Sequence, residues 1–310
     1  MASSRWGFFA KRHRRPTGQV ALSLSNERVA LAVLPEAGAA AVSERPTGGD
    51  EAGTLAALVR EAGAAGMACR WILDPSLYTL LQVDRPAVPE AEWIRALRWK
   101  VRDLISFPIE EAVMDAFEVP GLESRGRAPT LYVAVARKED LRPRIAAIEA
   151  SGLQMAGIGI SDLAFAEVTR RLSKTDDSLA TLVLDARGGS MLAMRDDALF
   201  VVRRFEFDAD ERRALGDPAA STAGRLQERV ALELQRTLDY FDRTHQRPPP
   251  RRLLLVDGTD GADGLPEALR NLLGIEVQRA DPATIWPALS GERAPAKARL
   301  SALVAAVGAA

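Results

Sequence analysis

Two hairpin patterns begin the two halves of this chain. Apolar residues alternate on both sides of a polar turn over 18–33, and two apolar runs flank a second turn in 182–195. Helices and short apolar strands follow each hairpin, among them the run 252–256, which is typical of a strand buried on both faces. Since this order occurs twice without close sequence repetition, it predicts two similar α/β lobes around a cleft.

The turn of the second hairpin carries the clearest chemical signal. A tight Gly188-Gly189-Ser190 turn exposes backbone N–H groups that can surround a phosphate, and the Asp185 carboxylate before it could hold a metal. Arg187 stands inside this turn, where a phosphate loop favours a small residue. The segment therefore predicts either a nucleotide site or the remains of one.

Composition excludes several classes of function. The chain has 310 residues, of which 47% are apolar and 27% charged, so it is long and apolar enough for two globular lobes. A net charge of −1 argues against nucleic acid as a partner. The single cysteine, Cys69, excludes an intrachain disulfide. His13 and His245 stand outside any Cys/His cluster and in polar surroundings, so we expect no metal site and no histidine-based catalysis.

The first 17 residues form a separate segment in which aromatic residues precede a basic cluster. No run in the chain approaches the ~18 apolar residues of a membrane-spanning helix. Aromatic and cationic residues together suit an anionic membrane surface, and a solvated tail is the alternative that the sequence leaves open. The membrane-surface candidates are Trp6, Phe8, Phe9, Lys11, Arg12, Arg14 and Arg15.

Three stretches carry a resemblance to a known family. They are 96–115, with its Phe-Pro-Ile-Glu-Glu run; 233–241, which reads Glu-Leu-Gln-Arg-Thr-Leu-Asp-Tyr-Phe; and 252–277. On these stretches the chain, from about Gly18 onward, resembles the cytoplasmic pilus-assembly proteins of the PilM kind. Among these it is most similar to the MshI-like biogenesis proteins of mannose-sensitive haemagglutinin (MSHA) pili.

The resemblance implies an α/β, actin-like (RNase H-like) two-lobed fold with an inserted 1C-type α/β subdomain. It places the first lobe at 18–180, the insert at about 79–154 and the second lobe at 181–310. A C-terminal helix at about 300–307 would then be able to pack back on the first lobe.

The resemblance also implies three nucleotide-binding motifs, and each is altered in this chain. Ser23 and Ser25 stand where the family has Asp-x-Gly, so Mg²⁺ loses a carboxylate and a phosphate meets an added Cβ. The second hairpin keeps Asp185 but has Arg187 in place of glycine, and carboxylates in the adenosine loop would repel a polyanion. The expected degenerate site comprises Ser23, Ser25, Asp185, Arg187, Gly188, Gly189, Ser190, Asp257, Gly258 and Asp260. We expect no catalytic residue, metal or cofactor, and the alternative is weak binding of ATP with Mg²⁺.

By resemblance, the chain is a non-catalytic scaffold, cytoplasmic and peripheral at the inner membrane, in a type IV, MSHA-like pilus assembly complex. Its implied partners are the cytoplasmic N-terminal tail of a single-pass PilN-like membrane protein and other proteins of the pilus platform. Trp99, Phe107 and Ile109 are candidates to line the tail-binding surface, and core packing is the alternative for them. Two other functions stay open: an actin-like ATPase of pilus assembly or type II secretion, and an FtsA-like membrane-associated polymer.

Overall fold

The structure is a computed structural model of the 310-residue chain. It describes residues 18–36, 41–118, 129–172, 178–185, 187–195, 198–216, 223–259, 264–281, 284, 303–305 and 308. The N-terminal membrane-surface candidates and Asp260 lie outside these residues. Within the described part of the chain, no helix is long and apolar enough to cross a bilayer.

The described helices and strands follow in the order β1 (Gly18–Leu24), β2 (Arg28–Pro35), β3 (Ala41–Pro46), α1 (Glu51–Glu61), β4 (Ala68–Leu73), β5 (Tyr78–Asp84), α2 (Trp93–Arg102), β6 (Ala112–Glu118), β7 (Thr130–Arg137), α3 (Lys138–Ala150), β8 (Gln154–Ile160), α4 (Ser161–Leu172), β9 (Leu179–Leu184), β10 (Gly188–Arg195), β11 (Ala198–Glu206), α5 (Ala209–Gly216), α6 (Ala223–His245), β12 (Arg252–Asp257), α7 (Leu265–Leu273) and β13 (Glu276–Arg279).

Two five-stranded sheets share one topology. Their strand orders are β3-β2-β1-β4-β8 and β11-β10-β9-β12-β13. In each sheet the first strand in sequence, β1 or β9, lies in the centre, with an antiparallel meander on one side and two parallel strands on the other. The two similar α/β lobes predicted from the repeated element order are therefore present.

The inserted subdomain is a three-stranded antiparallel sheet with the order β5-β7-β6. Helix α2 covers one face and buries Trp93, Leu97 and Val101 against it. The other face reaches the second lobe, where the Tyr132 hydroxyl accepts a hydrogen bond from the Val202 N–H at 3.0 Å. The bond satisfies an N–H group on the unpaired edge of β11 and joins the insert to the second lobe.

Two segments near the predicted domain boundaries pack in the first lobe. Helix α3, which the predicted insert includes, buries Leu141 and Ile148 in the core of the first lobe because it lies against α1 and β8. Near the C-terminus, Ala305 packs in a cluster with Ala21 and other alanines of the first sheet.

His245 lies at the end of α6 in an aromatic environment, so the expectation of polar surroundings is wrong for this residue. Its ring lies 5.1 Å from the rings of both Phe200 and Phe241, and it is only 6% exposed. Neither ring nitrogen has a hydrogen-bond partner among the described residues. Burial, with a smaller contribution from Arg247, lowers the pKa of His245 to about 4, so the ring is neutral and serves as an apolar core residue at neutral pH.

Candidate functional site

A cleft of about 530 Å³ lies between the two lobes. It forms where the carboxyl ends of four strands meet, which is where α/β sheets commonly place ligands. The residue that directly follows each of these strands lines the cleft. These residues are Ser25 after β1, Asp74 after β4, Ser161 after β8 and Asp185 after β9. The turns of the two predicted phosphate hairpins therefore line the same cleft.

Arg187 extends across this cleft from the second lobe to the first. Its two terminal nitrogens, Nη1 and Nη2, each lie 3.0 Å from one carboxylate oxygen of Asp74, which gives a two-bonded ion pair. A third contact joins Nη2 to Asp185 at 3.3 Å. Burial disfavours the charge on Asp74, but the bonds from Arg187 outweigh this and hold the pKa of Asp74 below its usual value. Charged groups of both lobes thus neutralise each other inside the cleft.

A second ion pair, between Arg204 of β11 and Asp162 of α4, crosses the same cleft. Asp162 is 2% exposed, and it also accepts a hydrogen bond from the Tyr78 hydroxyl at 2.7 Å. The Arg204 guanidinium lies 4.5 Å from the centre of the Tyr78 ring and donates to the Pro75 carbonyl oxygen at 3.2 Å. Arg204 therefore joins the second lobe to the start of the insert and to the helix between the lobes.

These two bridges contain four residues that sequence analysis did not single out: Asp74, Tyr78, Asp162 and Arg204. Asp74 carried a usable signal, because an aspartate that follows a strand and precedes a proline turn stands at the edge where ligands bind. Arg204 also carried a usable signal, because it is a cation near the end of an apolar strand. Asp162 resembles an ordinary helix-start aspartate in sequence, so its burial could not be inferred from pattern.

The hydroxyl of Ser25 in the first hairpin is used inside its own turn. Its oxygen accepts from the Arg28 N–H at 3.2 Å and lies 3.3 Å from the Arg28 carbonyl oxygen. Ser23, the other altered position, lines the cleft as a half-buried residue of β1. Both predicted positions therefore lie in the cleft, and the described contacts give Ser25 a structural task.

The second hairpin differs from its prediction. Gly188, Gly189 and Ser190 begin strand β10, so the predicted Gly-Gly-Ser turn is wrong, and Asp185 and Arg187 belong to the turn that precedes the strand. The Asp185 carboxylate closes this turn by accepting the N–H groups of Arg187 at 2.7 Å and Gly188 at 3.0 Å.

The two glycines are explained by close packing against β11. A Cβ on Gly188 would lie 2.1 Å from the Phe205 carbonyl oxygen, and one on Gly189 would lie 2.3 Å from the Phe205 ring. Ser190, the next residue of β10, lies with its hydroxyl 3.4 Å from Asp162.

The predicted adenosine loop is not part of the described cleft lining. Asp257 accepts from the Thr259 N–H at 2.9 Å and pairs with Arg279 at 3.3 Å, so its charge is compensated rather than directed at a ligand. The Gly258 N–H donates to the Leu184 carbonyl oxygen at 2.8 Å. Two of the three predicted motifs thus line the cleft, and the described part of the third, Asp257 and Gly258, adjoins the end of β9 beside them.

The three partner-surface candidates lie in different environments. Ile109 is buried in the core of the insert, and Phe107 packs partly buried against the same core. Trp99 faces outward and is 72% exposed. Core packing accounts for Phe107 and Ile109, and Trp99 is the one of the three that a partner could reach.

Comparisons with known proteins define the class of fold. No protein-family model and no curated protein matches the chain. Among solved structures, similarity extends over nearly the whole chain, and the neighbours include a protein described as having an actin-like ATPase fold. This chain therefore has the actin-like fold, as predicted.

Three of these solved structures span both lobes. The PilM–PilN type IV pilus biogenesis complex matches with a TM-score of 0.70 and 21% identity over 95% of this chain and 99% of that chain. A Bacteroides thetaiotaomicron protein of unknown function with an actin-like ATPase fold has a TM-score of 0.56 and 9% identity, over 92% and 100%. The cytoplasmic domain of EpsL, an inner membrane component of the Vibrio cholerae type II secretion system, has a TM-score of 0.50 and 13% identity, over 93% of each chain.

Proposed function

We propose that this protein is a non-catalytic scaffold at the cytoplasmic face of the inner membrane, in an assembly complex of a type IV pilus of the MSHA kind. The Arg187–Asp74 pair carries this proposal, because it occupies the cleft between the two hairpins. The likeness to a structure of a PilM–PilN complex and the motifs at 96–115 and 233–241 support the pilus system.

The fold class implies a magnesium nucleotide in the cleft, and the residues present do not fit one. Ser23 stands where a carboxylate would help to hold Mg²⁺, and Asp185 is engaged by its own turn and by Arg187. The open sides of Gly188 and Gly189, which would admit a phosphate, are filled by Phe205. No group of three or more metal-binding side chains occurs among the described residues. We therefore propose a scaffold that neither hydrolyses ATP nor depends on a cofactor.

This part of the proposal predicts that ATP with Mg²⁺ leaves the melting temperature of the wild-type protein unchanged. A ligand that binds only the native state must raise the melting temperature, so a saturating shift at millimolar nucleotide would show an intact ATP site. Differential scanning fluorimetry with ATP, ADP and Mg²⁺ alone makes the measurement.

The Arg187→Gly variant is the informative companion in the same experiment. It removes the guanidinium from the cleft but leaves Ser23 and the packing of Phe205 on Gly188 and Gly189 unchanged, so we expect it to show no nucleotide-dependent shift either. A variant that gains such a shift would show that Arg187 alone occupies the space a phosphate needs, and it would contradict the argument that Ser23 and Phe205 also exclude the nucleotide.

The proposed partner is the cytoplasmic N-terminal tail of a single-pass PilN-like membrane protein. A second cavity, lined by Glu110 and Glu111 of the insert and by Lys138 and Glu139 of α3, lies where the insert meets the first lobe. Three carboxylates and two cations, Lys138 and Arg142, line this cavity, and Glu111 and Glu139 already pair with Arg137. Cytoplasmic segments next to a membrane span carry an excess of Lys and Arg, and Glu110 is the carboxylate of the lining that such a segment would meet. We place the tail at this junction.

Co-purification tests this assignment. The full chain should bind the single-pass membrane protein encoded beside it, and removal of that partner's cytoplasmic tail should abolish the interaction. Charge reversal in Glu110→Lys should weaken it, whereas Glu267→Lys on the distant helix α7 should not. Undiminished binding of a tail-less partner would overturn the proposed tail contact.

A further inference from the structure

The outward face of α2 presents apolar surface that the fold does not use. The helix buries Trp93, Leu97 and Val101 on its inner side. Trp99 points to the opposite side, 72% exposed, and Leu104, just beyond the end of the helix, is 54% exposed. These are the two most exposed large apolar side chains in the described part of the chain. The fold therefore leaves both side chains largely exposed to solvent.

Cations surround Trp99 on this helix. Arg95 precedes it by one turn with an 81% exposed side chain, and Arg102 follows by one turn with its guanidinium 5.2 Å from the indole centre. At 100° per residue, Arg98 and Lys100 lie on the two flanks of Trp99. The stretch 93–102 contains these four cations and no carboxylate.

Two acidic side chains, Glu92 and Asp103, border this face at the ends of the helix. Glu92 pairs with Arg95 at 2.8 Å, and Asp103 pairs with Arg102 at 3.1 Å. Both are exposed pairs, which contribute little net energy and exchange readily for another anion. Arg95 and Arg102 are therefore available to a multivalent anionic surface, whereas Arg98 donates to the Ile109 carbonyl oxygen at 2.7 Å and Lys100 to the Asp84 carbonyl oxygen at 3.2 Å.

We infer that the outward face of α2 binds an anionic phospholipid surface. Trp99 enters the boundary between headgroups and acyl chains, and Arg95 and Arg102, one turn to either side of it, contact the phosphates. A lipid surface suits this face better than a peptide does, because the helix is convex and its exposed tryptophan lies between two cations, whereas helix-in-groove and strand recognition need a groove or a free sheet edge. This contact does not depend on the proposed pilus partner, and it is separate from the N-terminal segment.

Vesicle flotation of the full chain tests the inference. The wild-type protein should float with phosphatidylcholine vesicles that contain phosphatidylglycerol and should remain below pure phosphatidylcholine vesicles. The double variant Trp99→Ser/Arg95→Glu should lower the bound fraction by about tenfold or more, because charge reversal replaces an attraction with a repulsion at the surface. Both positions are exposed, so the variant should melt at the wild-type temperature.

The chain provides a matched control in Leu272→Ser/Arg213→Glu. Leu272 of α7 is 52% exposed, and Arg213 of α5 pairs with Asp210 three residues before it, as Arg95 pairs with Glu92. This control should bind vesicles as the wild type does. A Trp6→Ser/Phe8→Ser variant measures the separate contribution of the N-terminal segment. Each of three results would overturn the inference. They are a failure of the wild-type protein to bind anionic vesicles, an α2 variant that binds them as well as the wild type does, and a control that loses as much vesicle binding as the α2 variant.

Discussion

Replacing Asp162 by alanine is expected to lower the free energy of unfolding by about 3 kcal/mol, because it leaves a partly buried arginine without its carboxylate. Asp162 is 2% exposed, and its side chain receives the Arg204 guanidinium and the Tyr78 hydroxyl. The Arg204 side chain retains 28% exposure, so water relieves part of the loss, and the lower end of the range for buried pairs applies. Urea denaturation measures the change directly.

Two further variants make this expectation specific. Asp210→Ala removes an exposed carboxylate that also pairs with an arginine, Arg213, and it should cost no more than about 0.5 kcal/mol. The double variant Asp162→Leu/Arg204→Met removes both charges and should recover part of the loss, because the penalty comes from the arginine left unpaired rather than from the absence of a pair. A single variant that costs as little as Asp210→Ala would show that the bridge between the lobes adds no stability.

The large elements of the fold could be predicted because their apolar periodicity is strong. Apolar residues recur at helical spacing along α6, and the run 252–256 predicted β12, which the structure places at Arg252–Asp257. The repeated order of elements then predicted the two lobes. Local pattern was sufficient wherever an element buries one whole face or is buried on both sides.

The two edge strands of the first sheet, β3 and β8, have weak sequence patterns. Strand β3 is mostly exposed or half-buried and ends in a proline, so no apolar alternation indicates a strand there. In strand β8, Gly157 and Gly159 resemble breaks in a strand. The structure supplies the reason for Gly159, since a Cβ there would approach the side chain of Ile72 to 2.9 Å.

The cleft could be predicted only in part. Its two hairpins were found from sequence because each has a local signature, but Arg187 and Asp74 are 113 residues apart, and their pairing depends on how the lobes face each other.

The burial of α2 carried a local signal, since Trp93, Leu97 and Val101 follow one another at four-residue intervals and Trp99 lies outside that face. Applied strictly, that spacing separates Trp99 from the core residues.

A Gly188→Ala substitution is expected to destabilise the protein by about 3 kcal/mol or more, because the added methyl group meets backbone that cannot move aside. The new Cβ would lie 2.1 Å from the Phe205 carbonyl oxygen and 2.9 Å from the Cα of Glu206, both in the paired strand β11. Gly224→Ala is the matched control, since nothing lies within 4 Å of that position in α6, and there alanine should be neutral or stabilising by up to about 1 kcal/mol.

The neighbouring glycine separates the two possible roles of this pair. A Cβ on Gly189 would collide with the ring of Phe205 and not with its backbone, so a Phe205→Leu change should restore most of the stability lost in Gly189→Ala. The same change should restore little in Gly188→Ala, whose obstacle is a carbonyl oxygen. If both alanine variants were instead as stable as the wild type, strand β10 would have room for side chains at these positions. The glycines would then be better explained by the approach of a phosphate than by the packing of β10 on β11.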